Sequence, residues 1–215
     1  MSATFTTPPD GSNEASLAAA AETVRAGGVI VYPTETVYGI GADAFNAAAV
    51  NRVQEVKGRT NAKPILVIVR SMDMIRGLVA EVPSAAELLM KHFWPGPLTL
   101  VFKAKPGLPR GLTQGSGTIG VRIPSSPLCL RLLDLCACPI TSTSANLTGM
   151  PVQETVMEIS RVLGGAIDLY LDGGALSGGV PSTVVDVSTD YPKILRTGAL
   201  PLTRLQEIIP FTKSG

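Results

Sequence analysis

Short runs of β-branched and aromatic residues alternate with capped helical segments along the chain. This alternation constrains the fold more than any other feature of the sequence. Strands that take turns with helices are the pattern of one α/β domain. The strand-like runs are 29–32, 65–69, 98–102, 118–123, 140–143, 167–171, 183–187 and 193–196. Helical patterns cover 14–26, 47–57, 84–93, 127–136, 155–163 and 201–209, with a shorter one starting at Ser71. Ser12 or Asn13, Asn46, Ser71, Ser84 and Thr155 can cap these helices with a side-chain oxygen. Pro127 and Pro201 sit where a first turn needs no N–H. Gly27, Gly58 and Gly164 are the expected stops. We expect a flexible arm over 1–12, a single domain over 13–210 and a tail over 211–215, with a surface loop over 103–117.

One stretch within this pattern is more specific. Residues 29–32 read as a buried strand, and Pro33 then ends any ladder because it has no N–H. Thr34, Glu35 and Thr36 follow at once, and Gly39 and Gly41 let the backbone turn or approach something closely. The stretch can be a strand, a turn and a second strand. It can also be the floor of a pocket.

Composition removes several classes of function. Net charge is +1 and only 16% of the 215 residues are charged, so any nucleic-acid binding would need a local basic patch. No apolar run reaches the length of a membrane span. Cys129, Cys136 and Cys138 suit reduced thiols of a cytoplasmic protein better than a disulfide frame or a zinc site. His92 is the single histidine, which starves multi-histidine metal sites and most triads. Neither a P-loop nor a Gly-x-Ser-x-Gly elbow is present.

What remains is a set of polar clusters at strand ends, where α/β folds gather ligands. They are Thr34 and Thr36, Arg122, the run Thr141-Ser142-Thr143-Ser144 with Asn146, Ser182-Thr183, and Arg196. Lys57-Gly58-Arg59 adds charge after a helix. Hydroxyls, an amide and cations suit phosphate and carboxylate groups, arginine by bidentate geometry and lysine as a point charge. Taken singly, each has a plainer reading: a surface ion pair, a turn, or a lysine favoured at a helix C-terminus.

Taken in order, these residues carry a resemblance. Pro33-Thr34-Glu35-Thr36-Val37-Tyr38-Gly39, Lys57-Gly58-Arg59, Trp94-Pro95-Gly96-Pro97-Leu98-Thr99, Val121-Arg122-Ile123-Pro124 and Ser142-Thr143-Ser144-Ala145-Asn146 are followed by Asp172-Gly173-Gly174, Pro181-Ser182-Thr183 and Leu195-Arg196. The set resembles the YrdC-like family of threonylcarbamoyl-AMP synthases, in its short single-domain form. The resemblance implies a twisted mixed sheet wrapped by helices around a deep basic cavity. It implies that L-threonine, bicarbonate and ATP become threonylcarbamoyl-AMP and diphosphate, for threonylcarbamoyladenosine in tRNA. Mg2+ would be held mainly by the ATP phosphates, with no metal site on the protein. Proteins that transfer the threonylcarbamoyl group to tRNA would be partners downstream.

By matching positions, Lys57 and Arg59 would be catalytic and contact phosphates, with Asn61 and Lys63 nearby. Thr118, Ser144, Asn146 and Arg196 would complete the ATP site. Thr34, Arg122, Ser142 and Ser182 would hold L-threonine, Arg122 through its carboxylate. One departure stands out: many relatives have a histidine about where this chain has Ile68. The alternatives are a carbamoyl-adenylate-forming relative and a module that binds tRNA or other double-stranded RNA through the basic concavity.

Overall fold

The β-structure of the chain divides between two sheets, and that division brings the polar strand ends together. The computed structural model describes residues 2–58, 64–176 and 179–209. Among these, the strands are β1 (Ala3–Thr6), β2 (Ile30–Tyr32), β3 (Gly39–Gly41), β4 (Val67–Ile68), β5 (Leu98–Lys103), β6 (Thr118–Arg122), β7 (Ile140–Thr141), β8 (Thr143–Ser144), β9 (Leu169–Asp172), β10 (Thr183–Asp186) and β11 (Lys193–Arg196). The helices are α1 (Glu14–Arg25), α2 (Ala47–Val56), α3 (Met72–Leu78), α4 (Ser84–Phe93), α5 (Arg110–Thr113), α6 (Pro127–Cys136), α7 (Val156–Leu163) and α8 (Leu202–Gln206). No helix among the described residues is long and apolar enough to cross a membrane.

The first sheet runs β1-β9-β2-β3-β8 and the second β11-β10-β5-β6-β4-β7. Both are mixed. In the first, β9 is parallel to β1 and β2, whereas β3 is antiparallel to β2 and β8. In the second, β10 runs parallel to β5 and β4 parallel to β6, and the other pairs are antiparallel. The α/β class is as expected, with the strands shared between two sheets. The run 140–143 is not one strand. It pairs with β4 through Ile140 and Thr141, then crosses at Ser142 and pairs with β3 through Thr143 and Ser144.

Most helix starts follow from their caps. Asn13, Asn46, Ser71 and Ser126 each accept a backbone N–H from the first turn, and Thr155 with Glu158 forms a reciprocal capping box. Helix α4 has Pro83 at its cap position and makes no such bond. Helices α1 and α6 pack Leu17, Ala20, Ala21 and Val24 with Leu128, Leu132 and Leu133 in one core cluster, which includes Ile30 and Tyr32. A larger cluster gathers Tyr38, Ile40, Val67, Leu100, Phe102, Val121 and Val185.

Two further expectations fail. Residues 3–6 are not an unpaired arm, because they add strand β1 beside β9 in parallel register. The segment Ala3-Thr4-Phe5-Thr6 is too short for its alternation to mark a strand, and all four of its residues are exposed. The run 103–117 is also more than a surface loop. It holds α5, in which Gly111 and Leu112 are buried.

Asp168 joins three elements at the start of β9. It accepts the Val29 N–H at 2.7 Å and receives the Arg52 guanidinium through both oxygens, at 2.9 and 3.1 Å. Desolvation pushes its pKa upward, but the Arg52 and Val29 hydrogen bonds outweigh it and leave the carboxyl below its ordinary value. A lowered folded-state value means stability that is present above the unfolded value and lost as pH falls through the folded one. Asp168→Asn should therefore lower the melting temperature at neutral pH. The gap from the parent should close below about pH 4, where carboxylates protonate. Melting curves at several pH values check this. A constant gap would assign the effect to packing.

Candidate active site

The seam between the sheets encloses a cavity of ≈ 270 Å³. Its walls come from strand ends that the sequence scatters widely. The turn after β2 supplies Thr34, Thr36 and Val37. The C-terminal end of β6 supplies Arg122. The crossing between β7 and β8 supplies Ser142, Thr143 and Ser144, and β10 and β11 bring Ser182 and Arg196. Pro64, Leu66, Val67 and Ile68 form an apolar side. Of the expected site residues, Thr34, Arg122, Ser142, Ser144, Ser182 and Arg196 are thus brought together. Thr118, Lys57 and Asn146 are described but do not line the cavity. Arg59, Asn61 and Lys63 lie outside the described residues.

The floor is a hydroxyl turn. Thr34 Oγ1 accepts the N–H groups of Thr36 and Val37 at 3.1 and 3.2 Å, and lies 2.7 Å from Val37 O and 2.9 Å from Thr36 Oγ1. Pro33 ends the strand and the threonine then satisfies the freed backbone, as a side-chain-capped turn does. Thr34 is committed to this turn, whereas Thr36 reaches outward. Thr36 Oγ1 accepts Arg122 NH1 at 3.2 Å.

Arg122 is almost fully buried, with 4% of its surface exposed. Glu35 Oε1 lies 3.5 Å from its NH1 and also accepts the Ser125 N–H at 3.1 Å. A buried guanidinium needs such partners, because desolving an uncompensated charge is expensive. Across the cavity, Arg196 donates to Ser182 O through Nε at 3.1 Å and NH2 at 2.8 Å, and NH2 reaches Ser182 Oγ at 3.2 Å. Ser182 Oγ in turn lies 2.8 Å from Thr99 Oγ1. Desolvation, and secondarily the charge of Arg122, pull the Arg196 pKa below its ordinary value. Two guanidinium groups that feel each other's charge form a place where an anion is welcome.

Lys57 sits at the end of α2 and turns inward. Its Nζ donates to Ser144 O at 2.6 Å, Asn146 O at 2.5 Å and Asn146 Oδ1 at 2.8 Å. Thr118 opens β6 at the end away from Arg122, with Oγ1 3.0 Å from Ser116 Oγ.

Sequence reasoning missed Glu35, Thr99 and Leu66 as site residues, and named Thr36 without giving it a role. Thr36 and Glu35 were legible as neighbours of Thr34. Thr99 was quoted only as the end of a motif and is brought in where β5 pairs with β10, and Leu66 carries no signal of its own, because it is placed by the hydrogen bond from Ser142 N to its carbonyl. Cys129 lies under the floor: its buried thiol donates to Pro33 O at 3.2 Å, and burial pushes its pKa up to about 12, which makes it a packing group. Cys136 and Cys138 are likewise free thiols pushed up to about 12 by burial. Among the described residues, no three His, Cys, Asp or Glu side chains gather as metal ligands.

Comparison with known proteins agrees with this fold. The family model Sua5/YciO/YrdC, described as "Telomere recombination", matches residues 22–198. A threonylcarbamoyl-AMP synthase of Pyrococcus abyssi is 40% identical over 190 residues, which cover 88% of this chain and 56% of that protein. A putative threonylcarbamoyl-AMP synthase of Mycobacterium tuberculosis is 35% identical over 209 residues, 97% of this chain and 96% of that one. The crystal structure of P. abyssi Sua5 complexed with L-threonine superposes with a TM-score of 0.90 at 37% identity, covering 97% of this chain and 61% of that chain. The chain thus spans little more than half of the P. abyssi protein.

Proposed function

The chain belongs to the Sua5/YciO/YrdC family, and on that premise we propose that it forms L-threonylcarbamoyl-AMP and diphosphate from L-threonine, bicarbonate and ATP. The observation that carries this reading is the convergence of Arg122, Arg196 and the hydroxyls of Thr36, Ser142 and Ser182 on one cavity.

The chemistry asks for no side-chain nucleophile. The threonine amine and bicarbonate condense to a carbamate with loss of water. A carbamate oxygen attacks the α-phosphorus, the bond to the β-phosphate breaks, and diphosphate leaves. Both reactants are anions, so the protein's work is to hold them in line and offset their repulsion. In this reading Arg122 takes the threonine carboxylate, with Thr34, Ser142 and Ser182 around it. Arg196 faces the nucleotide with Ser144, and Arg59, Asn61 and Lys63 take the phosphates. Mg2+ arrives on the nucleotide as part of the substrate. The cavity is deep and basic when complete, within one domain that takes in strand β1 as well as the residues from 13 onward. The product is labile and passes to proteins that transfer it to tRNA, which sets the reaction in the cytoplasm.

Diphosphate release from ATP tests the reading. It should need both L-threonine and bicarbonate, and removing either should lower the rate at least about tenfold. Release driven by carbamoyl phosphate would assign the chain to carbamoyl-adenylate formation instead. Folded protein that releases nothing but binds double-stranded RNA in a salt-sensitive way would replace the enzyme by a binding module.

A further inference from the structure

We propose that Lys57 is a positioning residue that does not touch the nucleotide. It fixes the Asn146 amide, and through that amide makes Ser144 a hydrogen-bond acceptor toward the cavity. The proposal rests on the adenylate-forming reading and deepens it. The group that meets Ser144 is a donor on the nucleoside, a ribose hydroxyl or the adenine amino group, and not a phosphate oxygen.

The argument is a proton count. A lysine ammonium carries three protons and accepts nothing. Lys57 is 3% exposed, and its Nζ has Ser144 O, Asn146 O and Asn146 Oδ1 close by, at 2.6, 2.5 and 2.8 Å, with Ser144 Oγ further off at 3.5 Å. Because Nζ only donates, the amide atom that faces it must be the oxygen. This turns Asn146 Nδ2 toward Met150 O, 2.5 Å away. Ser144 Oγ lies 2.6 Å from the same Oδ1. An amide oxygen only accepts, so the Ser144 proton points at Asn146. One lone pair of Ser144 faces Lys57 Nζ at 3.5 Å, and the other is what it can offer to the cavity it lines.

The backbone reinforces the arrangement. Lys57 O accepts Thr148 N at 3.2 Å and Thr148 Oγ1 at 2.9 Å. Side chain and carbonyl of one residue therefore stitch the end of α2 to the segment after β8. A lysine that left this cage for a phosphate would strip a proton donor from buried carbonyl oxygens, which buried acceptors tolerate poorly. It would also release the amide that orients Ser144.

The test is nucleotide affinity, for AMP and ATP separately, of the parent, Lys57→Met, Asn146→Ala, the double variant and Ser144→Ala. Lys57→Met should weaken AMP and ATP by the same factor, about tenfold, and add nothing further to Asn146→Ala. A loss confined to ATP, or one that multiplies in full on the Asn146→Ala background, would overturn the proposal in favour of direct phosphate contact. Ser144→Ala removes only the 3.5 Å contact of the cage and leaves the three short ones in place, and so reads the second half: equal weakening of AMP and ATP is expected, and weakening of ATP alone overturns it. Urea midpoints of the same proteins separate this from the parent reading. If the parent binds neither nucleotide, the adenylate-forming function falls, and the midpoints alone decide the clamp. Shifts of Lys57→Met and Asn146→Ala that add in full reject it, and a double variant less destabilised than the sum of the two singles supports it.

Discussion

Arg122→Lys should lose threonine-dependent turnover by about a hundredfold or more, with the loss carried by the Michaelis constant for L-threonine and with ATP affinity within a few fold of the parent. Three features lead to this expectation. Arg122 is buried at the end of β6, its NH1 is tethered by Thr36, and Glu35 stands behind it. The rest of the guanidinium fork can present two parallel N–H groups to a carboxylate, which a lysine ammonium cannot do. Lysine keeps the charge, so Glu35 is not left without a nearby cation and the fold is spared the larger penalty of an unpaired buried carboxylate. What the exchange removes is geometry, and losing a desolvated, hydrogen-bonded charge contact has effects of this size. Steady-state kinetics with threonine varied at saturating ATP and bicarbonate is the measurement. A near-parental threonine constant would move the carboxylate to Arg196, the other guanidinium of the cavity.

The same residue shows how far the sequence reaches. Arg122 was legible because arginine is unusual at the end of an apolar strand. Thr34, Ser142 and Ser182 were legible because each is a hydroxyl at or beside the end of a strand run. Helix starts were legible because caps are local: Asn46, Ser71 and Thr155 act on backbone groups within their own first turn. What could not be read is what depends on partners far away. The segment Ile140 to Ser144 looks continuous, since alternation and propensity persist through Ser142. Its division between two sheets is set by β4 on one side and β3 on the other. Residues 3–6 became a strand because β9 offered an edge, not because their side chains asked for one. The inward turn of Lys57 is of the same kind. Sequence position at a helix end and beside Gly58 suggested a cation for phosphates, but the carbonyls of Ser144 and Asn146 come from a segment almost ninety residues away. Local chemistry names the residues of such a site. Strand pairing decides which of them face one another.

Gly41→Ala should destabilise the protein by about 1–3 kcal/mol and reduce threonine affinity in the fraction that folds. A Cβ placed on Gly41 would sit 2.7 Å from Tyr32 Cε1 and 2.9 Å from Ile140 Cγ2. Neither neighbour can yield easily, because both are fully buried. Tyr32 is held at its far end as well, where its hydroxyl donates to Thr141 O at 3.1 Å. Moving the ring would break that bond and disturb β7 just before the crossing at Ser142. It would also disturb Pro33 and the Thr34–Thr36 turn, which follow Tyr32 directly. Backbone conformation is not the cause here, since Gly41 is not among the positive-φ glycines. The requirement is close approach between β3 and the Tyr32 side chain, and loss of glycine flexibility in the unfolded chain would by itself act the other way. Urea unfolding gives the stability change, and threonine titration of the folded protein gives the functional one. Unchanged stability would show that the β2–β3 hairpin can shift to admit a methyl group. A destabilised variant with parental threonine affinity would instead mean that the floor of the site is insulated from the packing beneath it.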